Sequence, residues 1–176
     1  AWRLGVADLW HPRRQERLPA LTIPWLDGGR VLAVQYRFFA AGLAHGDRYA
    51  QWPSGERLLC GLHMIKGCST LVLVEGELNA VSIQQACPNV DVLSWGPQAN
   101  ILRPCVTERL NCVLHWGYAR VLVWADEPEL AERTSVLMNA HPSAPECIAL
   151  QPPAGLDAND LLQSGALSQL VSSLVA

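Results

Sequence analysis

From residue 70 onward, short apolar runs alternate with helical patterns, and that alternation restricts the chain more than any other feature. Leu71-Val-Leu-Val74 is the right length for a strand buried on both faces and too short for a buried helix. Leu78–Ala86 follows with helical spacing, and then the pattern repeats. Val90–Ser94 leads to a helix near Val106–Trp116, and Arg120–Ala125 to a helix from Pro128 to Asn139. Glu146–Leu150 leads to one final helix whose apolar stripe is Leu161, Leu162, Leu167, Leu170, Val171 and Leu174. Pro128 suits a first helical turn, where its missing N–H costs nothing. Strands joined repeatedly through helices run parallel, and a parallel sheet needs cover on both faces. The expectation is an α/β domain over residues 70–176: a four-stranded parallel sheet with helices on both sides.

Residues 1–69 carry a different pattern. Leu21–Trp25 and Arg30–Phe39 read as strands flanking Asp27-Gly-Gly, a hairpin turn. Gly42, Gly46, Pro53 and Gly55 then punctuate a loop-rich stretch. A small mixed β-rich subdomain is expected over 1–69.

Composition narrows the class. Half the residues are apolar and 16% are charged, enough to bury a core and too few charges for a disordered tail. No apolar run approaches the ~20 residues that span a bilayer, and no signal-peptide pattern opens the chain. The six cysteines form no CxxC pair, so reduced cytoplasmic thiols are expected rather than a disulfide framework. The net charge of −3 conceals a split: residues 1–70 carry nine Lys/Arg against five acids, residues 71–176 four Arg against eleven acids. A basic half beside an acidic half suits a polyanion-binding surface next to a metal site, although solvated surface charge explains it equally well.

The acids fall where chemistry collects. Glu75 ends the first strand and is followed by Gly76, and Asp126 ends the third, followed by Glu127, Pro128 and Glu129. A third cluster, Asp157-Ala-Asn-Asp160, precedes the last helix. Strand carboxyl ends are where open α/β sheets bind ligands. Taken alone, Glu75 is a helix-start acid worth only ~0.3–1 kcal/mol. Repetition of the arrangement on a second strand favours ligation of a divalent cation. Asp157 and Asn159 are also good N-caps, and Asp160 reads as a capping-turn residue.

Val-Glu75-Gly, Trp-Ala-Asp126-Glu-Pro-Glu129 and Leu-Asp157-Ala-Asn-Asp160-Leu, in that order on successive strand–helix units, resemble the Toprim family of primases, topoisomerases and nucleases. Upstream, Gly28-Gly-Arg-Val-Leu-Ala-Val-Gln-Tyr-Arg37, Asp47-Arg-Tyr49 and Pro53-Ser-Gly55 resemble the stretch that precedes Toprim in bacterial and phage primases. The similarity covers roughly residues 20–165 and favours the primase branch. It implies RNA primer synthesis on single-stranded DNA from nucleoside triphosphates, with Mg²⁺ or Mn²⁺ on carboxylate oxygens. Glu75 and Asp126 become the catalytic pair, and Glu75, Asp126, Glu129 and Asp157 the metal ligands of a two-metal site with a weak second position. Arg37, Arg48, Tyr49 and Lys66 become the template and nucleotide contacts, in a groove shared with Glu75. A replicative helicase, or linked helicase and zinc-ribbon domains, become partners.

The chain departs from the family in four places. Asn79 stands where primases usually have Asp, Pro128 where the second acid of Asp-x-Asp belongs, Asn159 for an acid, and Leu156 for the usual Lys. A degenerate Toprim that binds single-stranded DNA or a helicase without chemistry is the alternative, as is a nuclease or topoisomerase-like phosphodiesterase. The stretch Gly61-Leu-His-Met-Ile-Lys-Gly67 lacks the Gly-Lys-Ser/Thr order of a P-loop. Cys60, His63 and Cys68 are too irregularly spaced for zinc. Of the seven tryptophans, Trp95 and Trp124 flank strand ends and are the ones expected near the site, with most others in the core.

Overall fold

The computed structural model describes residues 1–53, 59–97, 101, 104–153 and 155–175. Two compact units divide the chain, Ala1–Glu56 and Arg57–Ala176.

The first unit is a four-stranded antiparallel sheet in the order β1-β2-β3-β4. Its strands are β1 (Gly5–His11), β2 (Glu16–Asp27), β3 (Arg30–Phe38) and β4 (Tyr49–Trp52). Asp27 pairs with Arg30 across a two-residue turn in which Gly28 and Gly29 both have positive φ, at 53° and 83°. That is the backbone a tight hairpin requires and glycine supplies. β2 is more than twice as long as Leu21–Trp25, because Pro19 and Pro24 interrupt its sequence pattern without ending the strand. β1 and β4 lie outside the two expected strands. Ser54 and Gly55 of the upstream motif lie outside the described residues. Leu18, Ala20, Phe38 and Leu43 form one buried cluster of this unit, and Ile23, Trp25, Leu26 and Ala33 are buried as well.

The second unit is the expected parallel sheet: β5 (Thr70–Glu75), β6 (Asp91–Gly96), β7 (Arg120–Trp124) and β8 (Glu146–Ala149), in the order β6-β5-β7-β8. Every residue of β5 and β6 is buried, as a sheet covered on both faces requires. Leu71, Leu73, Val121 and Val123 face α2 (Pro104–Leu114) and α3 (Pro128–Asn139) in one continuous core. Val72, Val74 and Leu122 alternate to the other face. There α1 (Glu77–Ala86) packs on β5 and β6 and against α4 (Ala158–Gln163) and α5 (Leu167–Val175).

The expected single C-terminal helix is two. Gly165, at φ 77°, ends α4 in a Schellman arrangement: Ala166 N–H donates to Leu161 O at 2.9 Å and Gly165 N–H to Leu162 O at 3.0 Å. The apolar stripe continues across the break, which is why spacing alone joined the two. Trp95 and Trp124 are core residues rather than site-lining ones, whereas Trp10, Trp52 and Trp116 are exposed. All six cysteines are free, and no helix among the described residues is long and apolar enough to cross a membrane.

A buried acid organises the amino end of this sheet. Asp91, with 0% exposure at the start of β6, accepts the backbone N–H groups of Lys66, Gly67 and Cys68 at 2.8–2.9 Å. The Tyr118 hydroxyl donates to the same carboxylate at 3.1 Å. The Tyr118 hydroxyl is held well above its ordinary range by burial and then by the Asp91 charge, so it remains a donor.

Candidate functional site

The strand order puts β5 and β7 side by side at the centre of the parallel sheet. β5 leaves through α1 toward β6, and β7 leaves through α3 toward β8, on the opposite face. The chain therefore parts in two directions at the carboxyl ends of β5 and β7, opening the crevice that open α/β sheets use for ligands. Glu75 and Asp126 stand at those two ends.

Local structure aims Glu75 into that position. Val74 pairs with Ser94 but Glu75 pairs with Gly96, so β6 carries one extra residue beside the end of β5. Bulges of this kind redirect the side chain next to them. Gly76 then turns the chain into α1 at φ 77°, donating its N–H to Gly96 O at 3.1 Å. Asn79 donates Nδ2 to the Glu75 carbonyl at 3.1 Å. An ionised aspartate, which the family resemblance would place there, has no N–H to give. The departure at Asn79 thus fastens the junction that carries Glu75.

Glu75 is 9% exposed, and its Oε2 accepts the Asp126 backbone N–H at 3.3 Å. This bond ties the loop after β7 to the strand end beside it. The Asp126 carboxyl stands at the rim and is raised above the ordinary carboxylate range, first by partial desolvation, then by the charges of Asp157 and Glu127. Three acids from two segments, Asp126 and Glu127 after β7 and Asp157 before α4, therefore share one field. Mutual repulsion of this kind is what a hard divalent cation relieves.

Asp157 also caps α4. Its Oδ1 accepts the Asp160 N–H at 2.8 Å, and Asp160 Oδ2 accepts the Asp157 N–H at 3.3 Å, a reciprocal capping box. Glu127 is the N-cap of α3, ahead of Pro128. Glu129 lies exposed in the first turn of that helix, and the charges acting on Asp126 are those of Asp157 and Glu127. Among the described residues no three His, Cys, Asp or Glu side chains are already arranged as a cation cage. The donor chemistry nonetheless suits Mg²⁺ or Mn²⁺: Mg²⁺ is usually held by one or two carboxylates together with substrate phosphates.

Replacing Asp157 by Asn keeps an oxygen for the helix cap and removes the charge. The Asp126 carboxyl, followed by NMR titration, is expected to move down toward its ordinary range while thermal stability changes little. An unmoved Asp126 midpoint would rule out the shared field. The sign for stability follows: Asp126 keeps its proton to higher pH when folded than when unfolded. Its contribution is therefore lost as pH rises from the ordinary aspartate value through the folded one.

Lys66 belongs to the same unit as the acids, and Arg37, Arg48 and Tyr49 to the first unit. Lys66 lies at the amino end of the sheet, where its Nζ donates to Pro88 O at 2.9 Å and its N–H to Asp91. That is the end opposite Glu75. In the first unit the Arg37 guanidinium lies over the Tyr49 ring, 5.8 Å from its centroid, and Arg48 Nε donates to Leu43 O at 3.3 Å. His11 Nε2 hydrogen-bonds Asp47 O at 2.8 Å, and Arg13 forms an ion pair with Asp47, fastening the Asp47-Arg-Tyr49 motif to the end of β1.

Sequence reasoning passed over two acids, Glu77 and Asp91. Glu77 is buried in the first turn of α1 and, after burial itself, is what pushes the Cys60 thiol upward. Cys60 pairs in a two-residue bridge with Ser94 and stays a thiol, unsuited to metal or nucleophilic chemistry. The Glu75-Gly-Glu77 spacing was the only signal for Glu77.

No family model matches the chain, and no curated protein matches it in sequence. Solved structures do match. The primase fragment of the bacteriophage T7 primase-helicase protein aligns with 90% of this chain and 64% of its own, at 14% identity and a TM-score of 0.68. The RNA polymerase domain of Mycobacterium tuberculosis primase DnaG aligns with 90% of this chain and 55% of its own, at 16% identity and TM-score 0.65. The same domain in complex with double-stranded DNA aligns with 97% of this chain and 67% of its own, at 17% identity and TM-score 0.69. The chain thus spans between about half and two thirds of the length of these three structures. At such identities the likeness is one of fold, and the fold is that of primase RNA polymerase domains.

Proposed function

We propose that this chain is the Toprim-containing core of a primase, with a β-rich part over residues 1–69 and a Toprim part over 70–176. In this reading it makes RNA primers on single-stranded DNA by nucleotidyl transfer. The observation that carries the reading is the meeting of Glu75 and Asp126 at the adjoining carboxyl ends of β5 and β7, joined by the Asp126 N–H to Glu75 Oε2 bond.

Each residue has a task that its placement supports. Glu75, largely buried, is the central carboxylate beside the primer 3′-hydroxyl. Divalent cations are held by Glu75 together with Asp126, Asp157 and an acid of the Glu127-Pro-Glu129 segment at the exposed rim. When bound, Mg²⁺ or Mn²⁺ supplies charge neutralisation for a triphosphate and lowers the hydroxyl pKa. Asn79 and Gly76 keep Glu75 at the strand end. Arg37, Arg48 and Tyr49 contact template and nucleotide, and Lys66 is part of the Asp91 structural clamp. Helicase and zinc-ribbon modules are the partners such a core works with, in the cytoplasm.

Incorporation of labelled ribonucleotides on a single-stranded DNA template with Mn²⁺ tests the proposal. Primer-length products that vanish on chelation are the expected result. Retained binding of single-stranded DNA with no product in Mg²⁺ or Mn²⁺ would overturn the catalytic reading and favour a binding module.

A further inference from the structure

The antiparallel sheet leaves one end of a face uncovered, and that surface is built of aromatic and arginine side chains. Directly opposed residues of an antiparallel pair point to the same side, so the register defines the surface. Trp10 pairs with Arg17, Asp8 with Pro19, and Val6 with Leu21; Leu21 in turn pairs with Arg37, and Arg37 with Tyr49. Phe39, whose N–H donates to Pro19 O at 2.8 Å, continues the alternation from Arg37. Val6 is 73% exposed, Trp10 54%, Phe39 51% and Tyr49 39%. Four large side chains in one continuous region exceed the scattered single apolar residues that a surface ordinarily shows.

The arginines are set among the rings. Arg17, directly opposite Trp10 in the register, reaches across to β1, donating Nη1 to Asp8 O at 3.3 Å. Arg37 lies over Tyr49. Asp8 is the one acid among these register positions, against two arginines. Rings for base faces and guanidinium groups for phosphates are the combination that holds single-stranded nucleic acid without regard to sequence. An apolar protein partner would not require it.

We infer that this surface, centred on Trp10 and Phe39 and flanked by Arg17 and Arg37, is a stacking ledge for single-stranded nucleic acid. It rests on the reading that the chain takes a single-stranded template. It adds a contact that the sequence motifs do not contain, since β1 lies outside them.

Fluorescence anisotropy with a labelled oligothymidylate of about 16 nucleotides tests it. Trp10→Ala is expected to weaken binding about tenfold and Trp10→Leu by nearly as much, because leucine keeps apolar area but offers no ring face, while Trp10→Phe retains most of the affinity. Arg17→Ala should lower the slope of log affinity against log salt by about one. Trp10 is exposed, so melting temperature should stay near wild type in every variant. Wild-type affinity in Trp10→Ala, or in Trp10→Leu, overturns the inference. Primer synthesis that depends on Glu75, alongside binding indifferent to Trp10, would overturn the ledge and leave the catalytic reading standing. Binding that depends on Trp10 in a chain that makes no primer does the reverse.

Discussion

Glu75→Gln is expected to reduce primer synthesis by roughly 10²–10³-fold while the protein stays folded. The substitution keeps the size of the side chain and an oxygen to accept the Asp126 N–H, so the tie between the two strand ends survives. It removes the acidic group at the buried end of β5. If Glu75 served only as an acid at the start of α1, the change would cost a few tenths of a kcal/mol and no activity. Activity and melting temperature, measured on the same preparation, separate the two. Priming that survives in Glu75→Gln removes the mechanism proposed for this chain.

The largest structural effect is expected at Asp91, far along the sheet from the acids. Asp91→Ala strands three backbone N–H groups and the Tyr118 hydroxyl without their acceptor. A buried donor left unsatisfied costs about 1–3 kcal/mol; the Tyr118 bond is buried and the three amide bonds, partly buried, cost less each, so a loss of about 3 kcal/mol is expected. For a chain of this size that is a fall in melting temperature on the order of 10 °C. Asp91→Asn retains one acceptor oxygen and should recover part of the loss. Tyr118→Phe removes one of the four donors and should cost far less than Asp91→Ala. A melting temperature for Asp91→Ala within a degree or two of wild type would contradict the clamp.

The legible and illegible parts of this chain differ for physical reasons. β5 and β7 were readable because a strand buried on both faces must be apolar throughout, and Leu71–Val74 and Val121–Trp124 are. Glu75 and Asp126 were readable because a carboxylate at the end of such a run has no packing explanation. β1 was not, since Val6, Asp8 and Trp10 point to solvent and mix apolar with charged residues on one face. β4 is four residues long, too short to show a period. Gly165 split the last helix, because a stripe of leucines carries no information about a left-handed residue between them. Trp95 lay within a strand buried on both faces, so its place near a strand end indicated core rather than site. Asp91 begins that same strand, and its partners come from residues 66–68 and 118, distant in sequence. No local pattern announces such a carboxylate.

The departures from the family pattern acquire physical content as well. Asn79 fastens the Glu75 junction through a donor that an ionised aspartate lacks. Pro128 opens α3 at a position where proline is tolerated, with Glu127 as its N-cap and one of the acids raising Asp126. Both positions can therefore differ from the pattern while the strand ends keep their acids in place.

Manganese soaked into crystals of the protein, with anomalous scattering to locate it, measures the central claim directly. The account predicts an anomalous peak with carboxylate oxygens of Glu75 and Asp126 among its ligands, at ~2.0–2.6 Å, the range spanned by hard divalent cations on oxygen. Manganese bound elsewhere with neither acid as a ligand, or no site at the ends of β5 and β7, would contradict it.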